Sequence, residues 1–181
     1  MLNEDYIFLD VEESTKENVL RFICEKAKQF HITDQEEDLY IDFMNREAEF
    51  PTGLQDGFAI PHARTERVKK IAIMYLRTKQ GIEWGTLDDK KVNYMFALLV
   101  PANYEGNIHL QMISTLATCL LEDDFKEKVK SSCDRAELKN IYKRKWRDSH
   151  ENCWYFCLSS RLSSYTNGSK SFRKSWGKSW V

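Results

Sequence analysis

The sequence contains no run of apolar residues long enough to cross a membrane as a helix. Its longest apolar stretch, around Met95–Val100, falls far short of the roughly 20 residues that such a helix requires. The first residues, MLNEDY, are acidic, whereas a secretion signal begins with a basic segment. We therefore expect a cytoplasmic protein, with room in 181 residues for one ordinary domain and a tail.

Two common kinds of binding site are also missing. The five cysteines do not have the paired spacing of a zinc site, and only Cys153 and Cys157 lie close together. We interpret them as free thiols in a reducing compartment, with disulfides and metal binding as the alternatives. No G-x-x-x-x-G-K-[ST] segment occurs, so the sequence gives no support for direct use of a nucleotide.

Net charge is almost absent overall but is distributed unevenly. Residues 143–181 contain nine Lys and Arg against two acidic residues, a net charge of +7. Residues 1–142 keep 18 basic and 26 acidic residues, a net charge of −8. This asymmetry divides the chain into an acidic domain, 1–142, and a basic tail, 143–181.

Two amphipathic helices are predicted near the N-terminus. Ser14-x-x-Glu17 has the pattern of a capping box and precedes apolar residues at helical spacing as far as Phe30. Asp34 with Glu37 repeats this start signal for a second helix, which we expect to end near residue 45.

The strands are predicted from short apolar runs bounded by turn residues. Tyr6–Leu9 and Phe58–Ile60 predict brief strands, and Ile71–Arg77 and Val92–Val100 predict well-buried ones. His62 follows the second of these strands directly after Pro61.

Helices are predicted again after Pro101. One covers about Ile108–Leu121, and two shorter ones start at Asp123 and Asp134, the last ending near Tyr142. No internal repeat is present. The order of helices and strands favours a layered α/β domain.

The segment REAEFPTGLQDGFAIPHAR, residues 46–64, brings an arginine, a Gly-containing turn and a histidine into one short stretch. It resembles the enzyme IIA domains of the fructose/mannitol type (EIIA type-2) in the bacterial phosphoenolpyruvate-dependent sugar phosphotransferase system (PTS). GFAIPHA matches the phosphorylation motif of that family closely, and NIHLQMISTLA matches the segment around its second histidine. The resemblance extends from about Tyr6 to Tyr142.

The resemblance implies a fold, a reaction and partners. The fold would be a three-layer α/β/α sandwich with a mixed central sheet of about five strands. The domain would act as a phosphotransferase that receives phosphate on His62 at Nε2 from the histidine-containing phosphocarrier protein HPr. It would pass the phosphate to a cysteine of an enzyme IIB domain, and so indirectly to the enzyme IIC permease of a fructose-like sugar. Neither a metal nor another cofactor is implied, and nucleic acid is not a predicted partner.

The residue types suit this chemistry. Imidazole attacks at neutral pH and forms an adduct that can still donate its phosphoryl group. Arg46, which matches the family's arginine, can hold two phosphoryl oxygens at once through its planar guanidinium. His109 matches the second histidine and can add another donor beside the helix N-terminus. Thr52, Gly53 and Gly57 are further candidate phosphate contacts, with the alternative that the glycines only permit unusual φ angles.

The tail, residues 143–181, shows no helical or strand period and contains four of the five tryptophans and nine serines. Its basic and aromatic residues leave open binding to nucleic acid or to an anionic membrane. Our preferred hypothesis is a frameshift that leaves the tail non-native and disordered. Suitable codons for His150–Gly177, read one nucleotide later, spell MKTVGISACPHGLAHTQMAAKAFEKAG, which resembles the start of a fructose-type enzyme IIB domain.

Two other functions remain open. In the first, a regulatory enzyme IIA of the nitrogen-related type or a module of a transcription regulator, phosphorylated His62 controls a protein partner. In the second, the chain is a catalytically silent product because the tail hinders folding.

Overall fold

The computed structural model describes residues 2–103 and 108–147, and side chains within these ranges except that of residue 108. Residues up to Lys145 belong to one compact unit, and the second unit, from Trp146 onward, lies almost wholly outside the described residues. Residues 143–147, predicted to begin a disordered tail, are helical, and the rest of the tail, 148–181, lies outside the described residues. The elements are β1 (Leu2–Val11), α1 (Lys16–Gln29), α2 (Glu36–Glu49), β2 (Phe58–Ala59), β3 (His62–Thr65), β4 (Ala72–Ile82), β5 (Val92–Pro101), α3 (Ile108–Cys119), α4 (Asp123–Ser131) and α5 (135–147).

The five strands form one mixed sheet in the order β1-β4-β5-β2, with β3 also paired to β5. β1 runs parallel to β4, and β4 runs antiparallel to β5. β2 and β3 both pair with β5 in parallel, one after the other along its length. The short break between them, at Ile60 and Pro61, is where the chain approaches the candidate site.

Helices cover both faces of the sheet. On one face, α1 and α2 contribute fully buried side chains such as Leu20 and Phe43 to a cluster with Met74 and Leu99 of the central strands. On the other, Phe96 packs against Phe125 of α4 and against an aromatic ring of α5. Burying one such side chain contributes roughly 1.5–3 kcal/mol, so both helical layers are held to the sheet by apolar contact. The predicted three-layer α/β/α sandwich is confirmed.

Both predicted helix starts are wrong in detail. The N-cap of α1 is Thr15, whose hydroxyl accepts a hydrogen bond from the backbone N–H of Asn18 at 3.2 Å. Ser14 and Thr15 are adjacent and both suit the role, so the start of the helix lies one residue later than predicted. The N-cap of α2 is Gln35, without a side-chain hydrogen bond, and Asp34, one residue earlier, forms an ion pair with Lys69.

Several elements are longer than predicted. α2 continues to Glu49 instead of ending near residue 45, so Arg46 lies in its last turn. His62 begins a strand of its own, β3. The last helix continues beyond Tyr142 to residue 147.

No helix in the described ranges is long and apolar enough to span a membrane. No disulfide links Cys24, Cys119 and Cys133, the cysteines that these ranges include.

Candidate active site

His62 is the first residue of β3 and pairs with Leu98 of β5. Its side chain is largely buried, with 7% of the residue exposed. The ring Nδ1 lies 2.8 Å from the backbone carbonyl oxygen of Ile60, and Pro61 between them bonds to β5 through its own carbonyl. The backbone at the break between β2 and β3 therefore fixes the orientation of the ring.

Arg46 reaches the other nitrogen of the ring from the last turn of α2. Its Nε donates to Nε2 of His62 at 2.8 Å, and its Nη1 donates to the backbone carbonyl of Phe50, also at 2.8 Å. Because a guanidinium can only donate, Nε2 must carry a lone pair, and Nδ1–H must donate to Ile60. The hydrogen bonds thus select the neutral tautomer in which Nε2 is the nucleophilic atom.

His109 lies in the first turn of α3, and its ring centroid is 5.6 Å from that of His62. Its Nε2 is buried and has no hydrogen-bond partner among the described residues. The positive end of the helix dipole lies at the same place. The structure therefore brings together His62, Arg46 and His109 from three separate elements, as the sequence predicted.

Burial disfavours the protonated form of both imidazoles. It lowers the pKa of His62 to about 4, with smaller electrostatic contributions from Arg46 and from protonation of His109, against the opposing hydrogen bond to Ile60. Burial also lowers the pKa of His109, and the charges of Arg64 and Arg46 act in the same direction. An imidazole that stays unprotonated keeps its lone pair available for attack.

Thr52 lies between Arg46 and His62 in the sequence, but both of its hydrogen-bond donors are bonded to Glu47. Its hydroxyl donates to Glu47 Oε1, and its backbone N–H donates to Glu47 Oε2 at 3.2 Å. The hydroxyl also accepts from Trp84 Nε1 at 3.1 Å. Direct phosphate binding by Thr52, as predicted, would require these contacts to open.

The two candidate glycines have clear structural reasons. A Cβ at Gly53 would lie 2.3 Å from the backbone oxygen of Gly85, so only glycine allows this close approach. Gly57 has a φ of 82°, in the region that favours glycine, and its carbonyl accepts from two N–H groups of β5. The interpretation that these glycines shape the turn thus has observations behind it, and their phosphate contact stays a prediction.

Arg64 is a charged neighbour of the site that the sequence reasoning did not single out. It lies two residues after His62 on β3, its Nη2 donates to the carbonyl of Ala102 at 2.9 Å, and its charge helps to lower the pKa of His109. Since alternate residues of a strand share a face, the pattern H-A-R could have identified it. Arg46 and Arg64 together give the site a positive potential suited to an anion.

The site can act as a nucleophile at Nε2 and as a hydrogen-bond donor to phosphoryl oxygens. No group of three His, Cys, Asp or Glu side chains that could hold a metal ion occurs among the residues described. A neutral imidazole beside a guanidinium is suited to a domain that accepts a phosphoryl group and stabilises its charge.

Comparison with known proteins identifies the family. Residues 1–145 match the family model described as "Phosphoenolpyruvate-dependent sugar phosphotransferase system, EIIA 2". The chain belongs to this family and is therefore a phosphocarrier component of a sugar phosphotransferase system.

Two relatives illustrate how this domain occurs. The PTS system fructose-specific EIIA component of Haloferax volcanii is 34% identical over 125 residues, which cover 69% of this chain and 80% of that protein. The PTS system fructose-specific EIIABC component of Bacillus subtilis is 29% identical over 132 residues, 71% of this chain but only 20% of that protein. The chain thus spans most of the first relative and about a fifth of the second.

Solved structures share the fold. The nitrogen regulatory protein IIA-Ntr from Neisseria meningitidis superposes with a TM-score of 0.72 at 27% identity, covering 77% of this chain and 94% of that one. The IIA mannitol protein from Escherichia coli superposes with a TM-score of 0.65 at 24% identity, covering 78% and 98%.

Proposed function

We propose that Nε2 of His62 is the atom that accepts and donates the phosphoryl group. The observation that carries this proposal is the pair of hydrogen bonds on the ring: Nδ1–H to the carbonyl of Ile60 and Nε2 from the guanidinium of Arg46. Together they leave one nucleophilic nitrogen in a fixed direction, and the low pKa of the ring, about 4, keeps that nitrogen unprotonated.

The phosphoryl group passes first from a histidine nitrogen of the donor to Nε2 of His62, and then from Nε2 to a cysteine sulfur of the acceptor. Nε2 of His62 attacks the phosphorus of a phosphohistidine on the donor protein, an N–P bond forms, and the donor's N–P bond breaks with its electron pair returning to the donor imidazole. In the second step a thiolate of the acceptor attacks the same phosphorus, and His62 leaves as the neutral ring. No proton has to be removed from His62 for the first attack, because its ring is already neutral.

Arg46 and His109 stabilise the charge that this reaction brings to the domain. The phosphoryl group adds close to two negative charges. Arg46 Nε, which donates to Nε2 before transfer, can donate to a phosphoryl oxygen afterwards, and the unpartnered Nε2 of His109 offers a second donor. Hydrogen-bond donors placed where charge develops stabilise the transition state most strongly in a buried site.

For the partners we propose HPr as the donor and the cysteine of an enzyme IIB domain as the acceptor, in the cytoplasm, for uptake of a fructose-like sugar through enzyme IIC. The name "fructose-specific EIIA component" of the Haloferax volcanii relative supports the sugar. The EIIABC relative and the complex of IIA mannitol with phosphorylated IIB mannitol from Escherichia coli, which has this fold, support the acceptor.

The proposal is tested by incubating the protein with phosphoenolpyruvate, enzyme I and HPr. We expect an acid-labile phosphohistidine that disappears in His62→Ala. Arg46→Ala should lower the transfer rate by about a hundredfold, because a preorganised charged donor is lost, with a smaller effect on folding. A label that survives in His62→Ala would contradict the proposal.

A regulatory role is the second candidate. The superposition with the nitrogen regulatory protein, at a TM-score of 0.72, favours it. The site chemistry would be the same, and the acceptor decides between the two. Transfer from phosphorylated His62 to an enzyme IIB cysteine supports transport, whereas recovery of a kinase or regulator with no such transfer supports regulation.

A further inference from the structure

Glu47 is a buried carboxylate close to the candidate site that has no direct hydrogen bond to His62. Glu47 follows Arg46 in the last turn of α2, and its side chain is 4% exposed. Burial of a carboxylate is costly unless it is well hydrogen-bonded. Glu47 accepts from the hydroxyl and the backbone N–H of Thr52, and Lys16 Nζ lies 3.5 Å from its Oε2.

Two further hydrogen bonds connect Thr52 to the ring of His62. The carbonyl of Thr52 accepts from the N–H of Ile60 at 3.0 Å. The carbonyl of Ile60 in turn accepts from Nδ1–H of His62 at 2.8 Å. An unbroken series of hydrogen bonds therefore links Glu47 to the ring nitrogen that sets the tautomer.

The contact between Glu47 and Thr52 also fixes the segment that holds Arg46. The guanidinium bonds to the carbonyl of Phe50, two residues before Thr52, where the chain turns back after α2. Trp84 donates to the hydroxyl of Thr52 from the other side. The positions of His62 and of Arg46, which donates to its Nε2, thus both depend on the buried contact between Glu47 and Thr52.

We propose that Glu47 is a positioning residue, which acts through Thr52 and the backbone of Ile60 to hold His62 in the Nδ1–H tautomer that leaves Nε2 free to react. This inference rests on the proposed function in assigning the reactive atom. Both oxygens of the Glu47 carboxylate accept from Thr52, Oε1 from the hydroxyl and Oε2 from the backbone N–H. A glutamine could keep both contacts, because the hydroxyl can accept from the amide N–H₂ while the amide oxygen accepts from the N–H. The informative variant is therefore Glu47→Met, which removes both acceptors.

Two measurements test it. The ¹⁵N chemical shifts of the His62 ring at neutral pH report the tautomer, and steady-state kinetics with phosphorylated HPr separate kcat from KM. We expect Glu47→Met and Thr52→Val to shift the ring toward the Nε2–H tautomer. Both should lower kcat about tenfold, which corresponds to about 1.4 kcal/mol of transition-state stabilisation, with little change in KM.

Thr52→Ser and Thr78→Val are the matched controls. Serine keeps the hydroxyl, so it should restore the wild-type tautomer and kcat. Thr78 is as buried as Thr52, and its hydroxyl donates to the carbonyl of Gln80 at 2.8 Å, at the far end of β4 from the site. Its valine variant should lower the melting temperature without moving the tautomer or kcat.

An unchanged tautomer in both Glu47→Met and Thr52→Val would overturn the inference, as would a fall in kcat no larger than that of Thr78→Val. If Glu47→Met fails to fold, the two Thr52 variants decide alone. If wild-type His62 takes no phosphate, the proposed function fails, yet the ¹⁵N measurement still decides whether Glu47 positions the ring.

Discussion

A phosphoryl acceptor must be a good nucleophile at neutral pH and must remain so while a negatively charged phosphoryl group approaches it. Free imidazole has a pKa near 6.5, so a nearby negative charge would favour its protonated, unreactive form. His62 avoids this because burial and the charge of Arg46 keep its pKa at about 4. We interpret the buried position of the ring as the means by which Nε2 stays available.

This pKa predicts a dependence of stability on pH. The unfolded state binds a proton at His62 near pH 6.5, whereas the folded state does so only near pH 4. Stability therefore falls as the pH falls through this window, since the unfolded state binds more protons there, by up to about 3 kcal/mol. Urea unfolding at a series of pH values measures this loss.

His62→Gln supplies the comparison for the pH series. The variant keeps every carboxylate and His109, so it retains their contributions and lacks only that of His62. We expect it to lose less stability than the wild type between pH 6.5 and pH 4. Parallel curves for the two proteins would show that the pKa of His62 is not depressed.

At the scale of elements, the end of α2 and the start of α3 each place an exposed apolar side chain next to the site. Phe50, whose carbonyl holds Arg46, is 64% exposed, and Leu110, which follows His109, is 60% exposed. Large exposed apolar residues near a site that must meet two protein partners are candidates for contact with them. Phe50 directly follows the end of α2, and Leu110 lies in the first turn of α3.

We predict that Phe50→Ala and Leu110→Ala raise the KM for phosphorylated HPr about five- to thirtyfold, the usual effect of losing an apolar anchor, with little change in kcat. Arg46 bonds to the backbone of Phe50, so truncation leaves that contact intact. Leu121→Ala is the control, because Leu121 is 77% exposed but lies just beyond the C-terminal end of α3, far along the helix from His109. The prediction would be contradicted if Phe50→Ala and Leu110→Ala raised KM no more than Leu121→Ala does.

The sequence predicted the type of every element except β3, which it treated as a turn after the preceding strand, and it did not predict the contacts that complete the site. Hydrophobic periodicity identified the helices and central strands, since it depends on burial against one sheet. It placed the end of α2 near residue 45, because helix ends depend on local contacts, here the bond from Arg46 to Phe50. It also missed the role of Glu47, which becomes visible only when Thr52 is seen against it.

At the scale of the whole molecule, the chain matches only one part of a multicomponent transporter. It spans about a fifth of the Bacillus subtilis EIIABC component, and the family match ends at residue 145. Beyond that point the composition changes from acidic to strongly basic. If His62 carries the phosphoryl group as proposed, its acceptor lies outside the matched residues.

The frameshift hypothesis predicts where that acceptor is encoded. The gene, read one nucleotide later from the codon of His150, should encode a segment close to MKTVGISACPHGLAHT, whose cysteine would be the acceptor. Each shifted codon takes its first and last bases from positions that the present residues largely fix. Sequencing the gene measures this directly. Correcting the frame should then give a protein in which phosphate moves from His62 to that cysteine, and Cys→Ser in the restored segment should trap it on His62. A shifted frame without the cysteine motif would refute the hypothesis and leave the basic tail as a native feature of the chain.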